Sequence, residues 1–360
     1  MSFNKLNPRR ISCLVISLTM YRIFTNLPLI FTRNYGTGAP LFSLILGIIV
    51  TLFIVFFLSK FSLWDKKNII DIAQSTFGGL GKYILSVLSL IYIFISSAYL
   101  LSEFSEFIKL VAFPSTPLWF IAIFFAVAAA LGALSSLDAL VKILSYFLPV
   151  FLAILFFLLG SVLWQSDFSN LFPVLGTASG KNISNGFSGT IMFSDLLLLF
   201  LIFPSSAERK VSKRLIISSA VIGIIAVFLV VLSYTAKIPY PLSKEESFPL
   251  YLLVKEVYYG RFFQRIDAAV LLIAALWGMS ALSFNLYLIL KIMKESFGVG
   301  SFKVSAFPVT VTVFLAALFL SSKFSQISTR LLQLSAAALC ASFIITGIFA
   351  RKKVPLADEN

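Results

Sequence analysis

Ten apolar windows of 17 or more residues recur along this 360-residue chain, and they constrain its fold more than any other feature. They run at approximately 11–31, 39–59, 83–102, 117–134, 143–164, 187–206, 214–236, 267–290, 305–322 and 331–350. As helix, each is long enough to cross roughly 30 Å of hydrocarbon. The chain is 59% hydrophobic and 12% charged, an apolar load that a water-soluble core of this length does not hide. The reading is all-α: a polytopic membrane protein of ten transmembrane helices, with 1–360 a single integral membrane domain. The first window is interrupted by Arg22, Asn26 and Pro28, and no small-residue cleavage pattern follows it. It therefore reads as a span, not a signal peptide.

Charge placement gives an orientation. The net charge is +14, but the basic residues gather at the ends of the apolar windows, so no nucleic-acid partner is expected. With the N-terminus in the cytoplasm, 18 Lys and Arg fall in inner connections, Lys291 and Lys294 among them, against 10 in outer ones. That bias places both termini inside, which requires an even number of spans.

Two charges lie deep inside spans. Asp195 sits in Gly189-Thr190-Ile191-Met192-Phe193-Ser194-Asp195-Leu196, and Arg22 lies about eleven residues into the first span. A charge near a bilayer centre costs at least a few kcal/mol on insertion scales, so both are candidates for function. Span 1 carries Tyr21, Arg22, Thr25 and Asn26 before Pro28, and span 6 carries Ser188, Gly189, Thr190, Ser194 and Asp195. Polar interruptions in the first and sixth of ten spans fit a 5+5 inverted repeat with broken helices 1 and 6 around a midplane site.

Arg22 and Asp195 admit two compatible roles, a structural ion pair and contact with a ligand. A zwitterion such as an amino acid would offer its carboxylate to Arg22 and its ammonium to Asp195. Tyr21, Arg22, Thr25, Ser97, Ser194, Asp195 and Trp277 are the candidate ligand-binding residues. Ser96, Tyr99, Ser280 and Ser283 rank lower, because small residues in membrane helices more often serve helix packing.

Enzyme chemistry is not expected. The chain has no His, no Gly-rich phosphate loop and no metal-ligand cluster, so neither metal nor cofactor is expected. Cys13 and Cys340 read as small apolar residues. Glu103 and Glu106, one turn apart with Lys109 behind them, read as a solvated helix end. In the long outer connection, Ser247 is a cap, Pro249 a first-turn residue and Gly260 a stop for a short helix. Its Leu250, Leu253, Val254 and Val257 share one face, as in an amphipathic helix at the outer interface or a simple docked lid with no substrate role.

Several segments resemble the B subunits of spore germinant receptors, permease-like proteins of the amino acid–polyamine–organocation transporter superfamily. Ser136-Leu137-Asp138-Ala139-Leu140-Val141-Lys142, with Pro149 following, is similar to the family's Gly-hydrophobic-Glu…Arg between spans 4 and 5. Phe172-Pro173-Val174-Leu175 resembles its Pro-Val-Leu after span 5, and Phe193-Ser194-Asp195 its Phe-Gly-Glu in span 6. Pro114-Ser115-Thr116-Pro117 and Gly260-Arg261-Phe262-Phe263-Gln264-Arg265-Ile266-Asp267 resemble its segments leading into spans 4 and 8. The chain departs from the family in span 1, where Tyr21-Arg22-Ile23-Phe24-Thr25 stands in place of a glycine-containing segment.

The resemblance implies a symporter-like ten-helix fold in the spore inner membrane or cell membrane. It also implies partners, an A subunit and a lipoprotein C subunit, and a role in sensing a small germinant, commonly an amino acid. A proton-coupled amino acid secondary transporter, with Asp195 as the protonatable group, is the alternative. A structural subunit with a vestigial pocket is the third reading.

Overall fold

The computed structural model describes residues 7–26, 39–65, 68–172, 187–202, 213–239, 248–255, 266–320 and 325–353, and every regular element in them is helical. Helix α1 (Pro8–Met20) is followed by α2 (Ala39–Asp65), α3 (Ile69–Val111), α4 (Leu118–Ala133) and α5 (Leu137–Trp164). A 3-10 turn (Phe168–Leu171) and a long 3-10 segment (Phe187–Leu198) lead into the short α6 (Leu199–Ile202). Then come α7 (Lys213–Lys237), α8 (Pro249–Lys255), α9 (Ile266–Phe297), α10 (Phe302–Phe319) and α11 (Ser325–Lys353).

Local chemistry sets several of these ends. Pro8 opens α1, where a missing amide hydrogen costs nothing. The Asn68 side chain accepts the Asp71 amide at 2.9 Å and starts α3, and Ser136 caps α5 through the Ala139 amide at 3.2 Å. The 3-10 turn is started by Asp167, whose carboxylate accepts the Ser169 amide at 2.9 Å. That bond holds the exposed Asp167 carboxyl below the usual aspartate range.

Six described helices are long and apolar enough to cross a membrane: Ile69–Val111, Leu137–Trp164, Arg214–Lys237, Val270–Phe297, Phe302–Phe319 and Ile327–Ala350. Shorter apolar helices occupy Ser43–Leu58, Leu118–Ala133 and Met192–Ile202. The first expected window, 11–31, lies within the described residues only as far as Asn26, so Pro28 falls outside them.

Helix α3 starts fourteen residues before the apolar window at 83. Its first arm turns into the main helix at Gly78 (φ 74°, ψ −160°), a backbone region that glycine reaches without a Cβ penalty. The arm interleaves Ile69, Ile70, Ile72 and Ala73 with Asp71, Gln74 and Ser75, so it lacks the unbroken hydropathy of a span. Those four apolar residues are nonetheless buried, whereas Phe77 at the end of the arm is exposed.

Helix α1 packs against α5, α7 and the 3-10 segment, while α3 packs against α4, α9, α10 and α11. The backbone of α2 comes very close to the 3-10 segment. A Cβ on Gly47 would run into the backbone of Gly189, and one on Gly189 into the backbone of Ser43. On the outside, Leu80, Val304, Phe307 and Trp164 are at least three-quarters exposed, as lipid-facing residues are.

Three expectations need correction. The segment containing α8 does not lay one apolar face on an interface, because Pro249, Leu250, Tyr251, Leu253 and Val254 are all buried. Tyr251 and Phe248 pack on Phe107 of α3, with ring centroids 5.7 and 5.1 Å away, which draws the helix into the bundle. Ser247, Val257 and Gly260 lie outside the described residues. Glu103 is no solvated helix end; it is 7% exposed and accepts the Asn26 amide at 2.8 Å. Lys291 is likewise buried, with Glu295 and Asp71 the acids acting on it, so it does not sit in an open connection.

Candidate functional site

Helix α1 stops at Met20, and the next residues change hydrogen-bond pattern. The Ile23 amide donates to the Met20 carbonyl at 3.0 Å, and the Thr25 amide to the Arg22 carbonyl at 3.1 Å. Both are three-residue spacings, tighter than an α-helix. Thr25 adds its hydroxyl to the same Arg22 carbonyl at 2.7 Å. Facing this turn is the 3-10 segment, twelve residues of a helix type that seldom exceeds one turn and that often marks a functional hinge.

Arg22 and Asp195 meet between these two segments. Arg22 Nη2 lies 2.8 Å from Asp195 Oδ1, and both side chains have zero exposure. Asp195 Oδ1 also accepts the Tyr92 hydroxyl at 2.7 Å and the Ser96 hydroxyl at 3.1 Å, both from α3. Tyr92 has one hydroxyl hydrogen, and with the carboxylate as its acceptor the Ser194 hydroxyl, 2.8 Å away, is left to donate to the Tyr92 oxygen. Ser96 in turn accepts from Arg22 Nη2 at 2.9 Å. Asn285 of α9 sits beside it, its Nδ2 at a long 3.5 Å from Ser96 Oγ.

The pair is one-toothed. Arg22 Nε and Nη1, Asp195 Oδ2, Asn285 Oδ1, the Tyr21 hydroxyl and Trp277 Nε1 are buried without a hydrogen-bond partner among the described residues. Unmatched donors and acceptors at such density are unusual in a native interior. Aromatic rings line the same region. Tyr21 meets Trp277 and Phe284 edge-on at 6.2 and 6.3 Å, Trp277 lies 4.9 Å from Phe151, and the Arg22 guanidinium sits 5.8 Å over Tyr99.

Of the candidate residues, Tyr21, Arg22, Thr25, Ser194, Asp195 and Trp277 fall in or directly beside this cluster. Ser97 does not join it through its hydroxyl, which donates to the Ile93 carbonyl of its own helix at 2.6 Å; the neighbouring Ser96 faces the pair instead. Ser280 and Ser283 similarly bond carbonyls of α9. Sequence reasoning passed over Tyr92 and Asn285. The available signals were the spacing of Tyr92 four residues before Ser96, hence on one helix face, and an asparagine in the apolar run around Phe284.

Residues 5–325 match the sequence profile of a family described as Spore germination protein. The chain belongs to the spore permease family. Spore germination protein KB of Bacillus subtilis (strain 168) is 22% identical over 253 residues, covering 68% of this chain and 66% of the relative. The match thus spans slightly under two thirds of that relative's length.

Two solved transporters share the fold. Mhp1, a nucleobase-cation-symport-1 family transporter in a closed conformation with bromovinylhydantoin bound, aligns with a TM-score of 0.68 at 14% identity. That alignment covers 99% of this chain and 81% of Mhp1. The Eremococcus coleocola manganese transporter, in complex with an aromatic bis-isothiourea substituted compound, aligns with a TM-score of 0.61 at 11% identity. It covers 94% of this chain and 76% of that one. At these identities the likeness is one of fold. Together with the apolar helices, it makes this spore permease an integral membrane protein of transporter-like architecture.

Proposed function

We propose that the chain is the permease-like membrane subunit of a spore germinant receptor, binding a small germinant between spans 1, 3, 6 and 8. The observation that carries this reading is the one-toothed Arg22–Asp195 pair, wholly buried, with Arg22 Nε and Nη1 and Asp195 Oδ2 unmatched. These leftover atoms suit an amino acid: two guanidinium donors for a carboxylate and one carboxylate oxygen for an ammonium. Tyr21, Thr25, Ser194 and Trp277 complete the pocket, with Ser97 behind Ser96. The ligand then satisfies charges the fold already buries, and it biases a conformational equilibrium by its differential affinity for two states.

The same reading has ten spans in a single domain, halves related as a 5+5 inverted repeat with helices 1 and 6 broken, and both termini in the cytoplasm. An A subunit and a lipoprotein C subunit are its partners, and the spore inner membrane is its location. Family membership and the germination relative support it.

Transporter-like architecture favours a second reading, a proton-coupled amino acid transporter using Asp195. The two separate in one experiment on purified chain and on spores. The receptor reading expects ligand binding lost in Arg22→Ala, nutrient response lost in Asp195→Asn spores, and no uptake of labelled amino acid by proteoliposomes holding the chain alone. Uptake there overturns it, and intact binding and response in both variants overturns the pocket.

A further inference from the structure

Four residues beyond Arg22, Asn26 joins three parts of the chain: the turn after α1, the helix α3 and the start of α8. Its amide donates to Glu103 Oε2 of α3 at 2.8 Å, and its side-chain Oδ1 accepts the Phe248 amide at 2.7 Å. Phe248 immediately precedes α8, and its φ is +59°. A bulky aromatic in the left-handed region is an outlier, because the Cβ crowds the backbone there. Such a residue persists only when its surroundings over-determine it.

The surroundings here are specific. The Phe248 carbonyl accepts the Tyr251 and Leu252 amides at 3.0 and 3.2 Å, so this residue starts α8. Its ring stands edge-on to Phe107 at 5.1 Å, and Phe107 also meets Tyr251 and Phe24. Remove the Asn26 acceptor and the Phe248 amide loses its partner while its unfavourable φ remains.

The inner end of the same segment is the ion pair. Thr25, next to Asn26, is fixed to the Arg22 carbonyl by both its amide and its hydroxyl. On α3, Glu103 lies seven residues beyond Ser96, about 10 Å farther along the helix. Tyr99, one turn before Glu103, carries the Arg22 guanidinium over its ring. Residues 21–26 therefore form a short, internally hydrogen-bonded strut with the charged pair at one end and the seat of α8 at the other.

We propose that Asn26, Glu103 and the strained Phe248 backbone form a latch that seats α8 against the bundle and couples that seating to the Arg22–Asp195 pair. Displacing the strut at Arg22 withdraws the Asn26 acceptor, and the strain at Phe248 favours release of α8. The inference concerns the ligand-free chain, so it stands or falls separately from the ligand proposed above.

Amide hydrogen exchange of the full-length chain in nanodiscs tests it. Asn26→Ala is expected to speed exchange across Leu250–Lys255 by at least about tenfold, the loss of one buried hydrogen bond, while α5 keeps its wild-type protection. Glu103→Gln, isosteric and neutral, is expected to speed the same amides by a smaller factor. It carries the test if Asn26→Ala fails to yield folded protein. Asp195→Asn is expected to speed exchange of α8 as well, and to add nothing in the Asn26→Ala background, because both act through one latch. Wild-type exchange of α8 in Asn26→Ala and Glu103→Gln, or faster exchange throughout the bundle, overturns the latch. Additive effects of Asp195→Asn and Asn26→Ala overturn the coupling.

Discussion

Asp195 uses one carboxylate oxygen for three hydrogen bonds and leaves the other with none, and Arg22 spends one terminal nitrogen while two others stay unmatched. Burial of this kind makes the partners interdependent. Arg22→Ala or Asp195→Ala alone leaves an uncompensated buried charge, and each is predicted to cost about 3–5 kcal/mol of stability. The Arg22→Met/Asp195→Leu double variant is predicted to cost less than either single change, because no charge is left behind. Thermal unfolding of the detergent-solubilised chain measures all three. The residue scale was also the most legible in the sequence, since a lone acid and a lone base in apolar runs announce themselves. The bonding around them was not legible. Ser96 and Ser97 are indistinguishable by composition, and only the helix phase of α3 turns Ser96 toward the pair. Tyr92 looked like any aromatic in an aromatic-rich chain.

Elements bring those residues together through close backbone contact. The 3-10 segment lies against α2 where Gly47 meets Gly189, so a methyl group at either position collides with main chain that cannot rotate away. Gly47→Ala is predicted to destabilise by about 1–3 kcal/mol, the range for overpacking, and to reduce ligand binding by shifting the segment that carries Asp195. Unfolding midpoints and binding isotherms on the same preparation check both. Hydropathy found the windows corresponding to these elements but missed the first arm of α3, because Asp71, Gln74 and Ser75 break its apolar run. The one-turn spacing of Glu103 and Glu106, with Lys109 behind them, points Glu103 to water, where the structure does not put it. That side chain is drawn inward by the Asn26 amide, a contact 77 residues away in sequence that no local pattern encodes.

The whole molecule is arranged for a solvent other than water, with large apolar side chains both inside and out. The two populations are predicted to respond very unequally to truncation. Phe104→Ala, at a 2% exposed position packed on Gly278, is predicted to cost about 3–5 kcal/mol. Phe307→Ala, at a 76% exposed position, is predicted to stay within about 0.5 kcal/mol. Unfolding in detergent distinguishes them, and equal costs would contradict the lipid-facing assignment of Phe307. Zero exposure at Arg22 and Asp195 has a kinetic consequence as well. A solute that must touch those atoms waits for the protein to open, so its observed association rate is predicted to level off as concentration rises. The plateau is the opening rate itself, the same for every solute that uses the pair. Affinities measured at equilibrium carry the same tax, weakened by the fraction of time the chain spends open.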